Sequence, residues 1–200
     1  MTRSDAKRTQ IQIESLLRQS AEVKLKMIDA CTPTIAQIAG LVIDSLESGG
    51  KLLLCGNGGS AADAQHLAAE FVGKFRARRD PLPAIALTAN TSTLTAIGND
   101  WSFEEVFARQ VEALGRKGDV LLALSTSGES ENVLRAIDRA RSMGMLAVGF
   151  GGGGGSPMDS RVDICLKIPS SETPRIQEGH ILAGHIICDL VERAIRGDGN

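Results

Sequence analysis

Lys51-Leu52-Leu53-Leu54-Cys55 runs without a polar break into Gly56-Asn57-Gly58-Gly59-Ser60, and a helical segment follows to about Phe75. A strand with one wet face alternates apolar and polar residues; a continuous apolar run is what a strand covered on both faces requires. The same unit recurs along the chain. Ala84–Leu87 leads into Thr88–Thr95 and a helix near Glu104–Leu114. Val120–Leu124 leads into Ser125-Thr126-Ser127-Gly128 and a helix over Ser130–Ser142. Leu146–Phe150 leads into the five glycines 151–155, which read as a flexible turn or, alternatively, a mobile lid. Ile164–Ile168 precedes a last helix that opens at Thr173-Pro174 and reaches about Arg196. Five such strands separated by helices predict an α/β fold with a five-stranded parallel sheet.

Upstream, apolar residues from Ile11 to Met27 recur at helical spacing. Thr32-Pro33 reads as the start of a second helix, a hydroxyl cap followed by a proline in the first turn. That helix continues to about Leu46, and Ser48-Gly49-Gly50 ends it. The layout expected is one domain over residues 1–200: a helical extension over 1–48 and an α/β core over 49–197, with Asp198-Gly199-Asn200 frayed.

Composition excludes several classes. Lys plus Arg is 22 and Asp plus Glu is 24, a net charge of −2. No basic excess exists to neutralise a nucleic-acid backbone. Six aromatics and no Tyr leave little to stack on bases. No apolar run approaches the roughly 18–20 residues of a membrane span, and MTRSDAKRTQ lacks a signal-peptide core. No membrane partner and a cytoplasmic location are expected. Cys31, Cys55, Cys165 and Cys188 form no C-x-x-C pair and are expected to be buried, reduced thiols.

Ligands of open parallel sheets bind beyond the carboxyl ends of the strands, so the loops after the first and third strands carry the chemistry. The first, Gly56-Asn57-Gly58-Gly59-Ser60-Ala61, satisfies G-x-G-x-x-[G/A], but no acidic residue follows at the end of the second strand to hold a ribose. Its glycines can bring backbone amides and a helix N-terminus near an anion; alternatively they only turn the chain, with Ser60 and Asp63 forming a capping box. The second, Ser125-Thr126-Ser127-Gly128-Glu129-Ser130, offers hydroxyls and N–H donors at a helix N-terminus without a lysine. That suits a phosphate monoester rather than a triphosphate. Arg76, Arg78 and Arg79 read as a solvated turn. Asn99-Asp100, in the loop region after the second strand, either contacts sugar hydroxyls or makes a turn.

His66 and Glu70 stand four apart, on one helix face, a spacing that suits a shared metal or an acid–base pair. Asp63 and Gln65 are expected to point elsewhere. At about 100° per residue, Gln177 and His185 lie roughly 80° apart and His180 and His185 roughly 140° apart. Gln177 can therefore join His185 at one site, while spacing alone does not choose His185 over His180.

CGNGGS at 55–60, QHLAAE at 65–70, GND at 98–100, GDVLLALSTSGES at 118–130 and RIQEGHILAGH at 175–185 resemble the sugar isomerase (SIS) domain and, more narrowly, its phosphoheptose isomerase branch. The resemblance covers nearly the whole chain. It implies a single SIS domain with a flavodoxin-like three-layer α/β/α arrangement and N-terminal helices used for oligomerisation. It implies a homotetramer with sites at subunit interfaces, and conversion of sedoheptulose 7-phosphate to D-glycero-D-manno-heptose 7-phosphate on the way to nucleotide-activated heptoses. Zn2+, one per subunit, would be held by residues matching His66, Glu70, Gln177 and His185. Glu70 and His185 would be the acid–base pair. Substrate contacts would come from Asn57, Gly58, Gly59, Ser60, Glu70, Asn99, Asp100, Ser125, Thr126, Ser127, Ser130 and Gln177. The resemblance also admits a non-catalytic SIS tetramer that binds a replication initiator protein, and a sugar-phosphate-sensing regulator.

Overall fold

The computed structural model describes residues 3–197. Strands β1 (Leu52–Gly56), β2 (Ala84–Ala86), β3 (Val120–Leu124), β4 (Leu146–Gly152) and β5 (Ile164–Ile168) form one parallel sheet in the order β2-β1-β3-β4-β5. This is the doubly wound order whose switch point falls between β1 and β3. Register is direct: Leu52 pairs with Val120 and Gly56 with Leu124, so the loops after β1 and β3 leave the sheet side by side.

Both faces of the sheet are covered. Leu52, Leu54, Val120, Leu122, Leu124, Val148 and Phe150 face one core, shared with α1 (Arg3–Glu47), α2 (Gly59–Val72) and α6 (Thr173–Arg196). Leu53, Cys55, Leu121, Ala123 and Ala147 face the other, shared with α3 (Thr91–Asp100), α4 (Ala108–Leu114) and α5 (Glu131–Ser142). Alternate residues of each strand thus bury into opposite layers, which is why the strands read as unbroken apolar runs.

The N-terminal region corrects the two-helix expectation: α1 is one helix of 45 residues with Pro33 inside it. Thr32 does not cap a new helix; its hydroxyl donates back to the Ile28 carbonyl at 2.6 Å. Pro33 removes one backbone bond, yet Cys31, Ile35, Ile38, Ala39 and Val42 on either side are buried in one core, and that burial outweighs the lost bond. By length and composition, α1 also reaches what a bilayer span needs, contrary to the expectation that no segment approaches it. Its inner face packs on α6 and β5.

Two further expectations change. The segment after β2 forms α3, capped by the Asn90 side chain accepting from the Thr93 amide, so Asn99 and Asp100 close a helix instead of lying in a loop. Gly151 and Gly152 are strand residues paired with Lys167 and Ile168. A Cβ at Gly152 would stand 2.8 Å from Ile176 Cδ1 and 3.0 Å from the Thr126 carbonyl, so packing demands this glycine. All four cysteines are free; Cys165 is half-buried and the rest are buried. Asp198-Gly199-Asn200 lie outside the described residues.

Candidate functional site

Helices α2 and α6 run side by side in the same direction, and glycine sets their separation. At their N-terminal ends a Cβ on Gly59 would stand 2.6 Å from Gln177 Nε2; further along, a Cβ on Gly184 would stand 2.6 Å from Leu67 Cδ2. At Gly184 the buried Leu67 leaves no room for a side chain, whereas at Gly59 a Cβ would displace the end of the Gln177 side chain. Between these contacts His66 Nε2 meets His185 Nε2 at 2.7 Å, so one ring donates and the other accepts. Glu70 Oε1 lies 3.5 Å from His66 Nε2. The two imidazole rings stand edge to face, centroids 5.0 Å apart, and the Phe75 ring lies 5.5 Å from His185.

The structure therefore brings His66, Glu70 and His185 together, with Gln177 against Gly59 at the head of the same helix pair. Asp63 belongs beside them, contrary to the expectation that it points away. It lies three residues before His66 and seven before Glu70, a spacing that keeps one helix face and was legible in the sequence. Its Oδ2 is buried without a hydrogen-bond partner. Burial pushes its carboxyl pKa up, while His66 and His185 pull it down. Ser60 is buried inside α2; the N-cap is Gly58, at φ +54, with no side-chain cap, so the capping box is absent.

Among the described residues no three His, Cys, Asp or Glu side chains are already spaced as metal ligands. Two nitrogens bound at about 2.0–2.1 Å to one tetrahedral zinc stand about 3.3 Å apart, so the two imidazoles must part slightly to share one. The donor chemistry otherwise fits zinc: two imidazole nitrogens and the Glu70 carboxylate, beside the half-buried Asp63 carboxylate, whose Oδ2 has no hydrogen-bond partner.

The two loops meet at the switch point. Asn57 and Asn132 exchange paired amide hydrogen bonds at 2.8 and 3.0 Å, tying the β1 loop to the first turn of α5. Ser125 Oγ accepts the Gly128 amide at 3.1 Å, and Ser127 Oγ accepts the Glu129 amide at 3.2 Å. Gly128 sits at φ +66, where a Cβ would also strike Ser156. Ser130 occupies the α5 N-cap position but makes no capping hydrogen bond; its hydroxyl accepts only a long bond, 3.4 Å, from the Ser125 hydroxyl. A cavity of about 180 Å³ opens beside this loop, lined by Thr126, Ser127, Gly152, Ser156, Ser170 and Ile176 among others. A larger cavity of about 580 Å³ lies at the amino ends of β1 and β3, away from these groups; there the Asp119 carboxylate is already engaged by Lys51 and the Arg116 amide.

Asn99 and Asp100 do not join the cluster. They are exposed at the end of α3, hydrogen-bonded to each other at 2.8 Å, and Ile97 of that helix packs in the opposite core. His180 is fully buried, its Nε2 3.2 Å from the Gly151 carbonyl, outside the site. Arg79, read as solvated, is instead buried against Glu192.

Residues 17–152 match the SIS domain family. The phosphoheptose isomerase of Rhodospirillum rubrum is 53% identical over 184 residues, 92% of this chain and 97% of that protein. The structure of phosphoheptose isomerase from Neisseria gonorrhoeae superposes with a TM-score of 0.87 at 42% identity, covering 92% of this chain and 98% of that one. A phosphoheptose isomerase structure from Francisella tularensis superposes with a TM-score of 0.89 at 40% identity, covering 96% and 100%.

Proposed function

The chain belongs to the phosphoheptose isomerase family of SIS-domain proteins, and on that premise we propose that the α2–α6 cluster interconverts sedoheptulose 7-phosphate and D-glycero-D-manno-heptose 7-phosphate, supplying nucleotide-activated heptose synthesis. The observation that carries this reading is the meeting of His66, Glu70 and His185 on two helices beside a hydroxyl-rich loop. Relatives of about half identity are named as isomerases, which disfavours the scaffold and regulator readings.

Aldose–ketose isomerisation moves a proton between adjacent carbons through an enediol, so it needs a base at carbon and an acid at oxygen. The Glu70 carboxylate takes the C1 proton, and His185 protonates the carbonyl oxygen at C2. Return of a proton to C2, with loss of the proton on O1, leaves the aldehyde at C1. His66, Glu70, Gln177 and His185 would hold zinc, which when bound polarises the carbonyl and hydroxyl oxygens as a Lewis acid. Ser125, Thr126, Ser127 and Ser130 receive the phosphate at the α5 N-terminus, and the α2 N-terminus at Asn57, Gly58, Gly59 and Ser60 faces the sugar.

A homotetramer follows from the same reading. Ile11, Ile13, Leu16, Leu17, Leu25 and Ile28 leave a large apolar surface exposed on α1, which association would cover. Asn99 and Asp100, remote from their own cluster, would then serve a neighbouring subunit's site. Four unpaired cysteines suit a reducing, cytoplasmic setting.

The test is incubation with sedoheptulose 7-phosphate, with and without a zinc chelator, followed by NMR for the aldose. Glu70→Gln should leave folding and sugar-phosphate binding intact and cut turnover by about 10²–10⁴-fold. Wild-type turnover in that variant removes Glu70 from the mechanism.

A further inference from the structure

We propose that Arg79 and Glu192 are positioning residues for this reaction: a buried ion pair that fixes where the Glu70 carboxylate and the His185 imidazole stand relative to each other. The proposal rests on the isomerase reading above. Both side chains are only 4% exposed, with Arg79 Nε 3.2 Å from Glu192 Oε2. That contact is ionic and lacks hydrogen-bond geometry at Nε. A buried pair is a poor source of fold stability, because desolvation offsets most of the attraction. What distinguishes this one is what its remaining atoms hold.

Arg79 reaches back to the end of α2. Its Nη2 donates to the Glu70 carbonyl at 2.8 Å, and its Nη1 donates to the Phe71 carbonyl at 2.8 Å and to that of Asp80 at 2.9 Å. The last carbonyls of a helix have no partner within it, so this guanidinium takes over their bonding at the residue that carries the proposed base. Glu192 reaches the chain just beyond. Oε2 accepts the Phe75 amide, and Oε1 accepts the amides of Arg76 and Ala77, each at 2.8 Å. The Phe75 ring so anchored is the one lying 5.5 Å from His185. Glu192 itself follows His185 by seven residues, about two turns along the same face of α6. One ion pair therefore grips the backbone of the Glu70 residue on one side and the ring that backs His185 on the other. The neighbouring Arg76–Asp189 pair, 3.1 Å apart with Arg76 69% exposed, joins the same two segments at the surface; Arg76 also lies over the Phe75 ring, 5.7 Å from its centroid, whereas Asp189 makes ion pairs with Arg76 and Arg193.

The experiment compares Glu192→Gln, Phe75→Leu and the surface control Asp189→Asn, which removes the outer ion pair and keeps Arg76 over the Phe75 ring, with the wild-type protein. It measures kcat, KM for sedoheptulose 7-phosphate, zinc affinity by competition with a chromophoric chelator, and Tm. Glu192→Gln should lower kcat at least tenfold and weaken zinc binding about tenfold, in the range found for groups that orient metal ligands. KM should stay within about threefold, because the phosphate loop lies on β3 and α5. Phe75→Leu should reproduce the loss of kcat with little change in Tm, and it decides the matter if Glu192→Gln does not fold. Asp189→Asn should match the wild type. If kcat per folded, zinc-loaded site and zinc affinity stay within twofold of wild type in both Glu192→Gln and Phe75→Leu, whatever their Tm, the pair is merely structural and the proposal is overturned. A wild-type protein inert toward sedoheptulose 7-phosphate sinks the isomerase reading alone; the zinc comparison still decides the role of the pair.

Discussion

Gly184→Ala should drive a wedge between the two helices that carry the site. The new Cβ would stand 2.6 and 2.7 Å from the two terminal methyls of Leu67, about 1 Å inside the 3.5–4.0 Å at which carbons rest. Leu67 is fully buried and has nowhere to turn. Overpacking of this kind costs about 1–3 kcal/mol, and the fixed neighbours put this case near the top of the range. Alanine returns about 1 kcal/mol through its better helix propensity. The net loss is about 2 kcal/mol, a fall of about 4–8 °C in Tm for a chain of this size. The functional effect should exceed the thermal one. Leu67 follows His66 and Gly184 precedes His185, so the wedge opens the gap between the two imidazoles directly, and misplacement by 1 Å can cost about 100-fold in rate. Thermal melts and steady-state kinetics measure both effects. Leu67→Val in the Gly184→Ala background should recover part of each loss, giving a coupling energy of about 0.5–3 kcal/mol. A Gly184→Ala protein with wild-type Tm and kcat, or a double variant whose losses simply add, would refute the claim that this glycine sets the spacing.

Three further outcomes follow from the geometry. Asn132→Ala leaves the Asn57 amide without its partner, which should cost about 1–3 kcal/mol in urea unfolding and raise KM more than it lowers kcat, because the two loops lose their tie. Ser130→Ala should raise KM about tenfold while leaving Tm nearly unchanged, because this hydroxyl makes no capping bond to α5; a Tm loss with unchanged KM would make Ser130 a cap and no more. Burial holds the His180 pKa at about 4, below its ordinary 6.5, against a smaller opposite pull from the Gly151 carbonyl. The folded state thus resists protonation that the unfolded chain accepts below pH 6.5. His180 should therefore cost stability progressively between pH 6.5 and 4, up to about 3 kcal/mol. The Tm-versus-pH slope in that window should flatten in His180→Asn, and an identical slope would show that other groups set it.

The layer structure was legible because burial on two faces leaves a mark on each strand by itself. Leu52–Leu54 and Val120–Leu124 need no partner in view to be read as inner strands. The misreadings arose where a distant contact overrode a local signal. Thr32-Pro33 is a sound helix start taken alone, but the residues on both sides of it bury against α6 and β5, and the helix runs through. The five glycines look like slack chain, yet Ile176, Met158 and the Thr126 carbonyl crowd the first two of them into a strand. Helix α3 was hidden because its core contribution is small; among its residues only Ile97 is buried.

The site divides along the same line. His66 and Glu70 could be paired from spacing, because one helix turn fixes their distance whatever the tertiary fold. Asp63 obeys the same periodicity and could have been found by extending it one turn back. That His185 rather than His180 faces them depends on the rotation of α6 about its axis. Gly179 and Gly184 set that rotation by letting Ile168 and Leu67 press against the helix backbone. A glycine in a helix carries no sign of what presses on it. Arg79 is the extreme case, because three arginines in four residues read as a wet turn. One of them is dry because Glu192, more than a hundred residues away, already holds three amides and lies within ionic contact of its guanidinium. A charge can be buried only where an opposite charge and most of its hydrogen bonds are supplied together. Such a residue becomes readable only once both helices are in place, which is also why its loss should be felt at the reacting groups they carry.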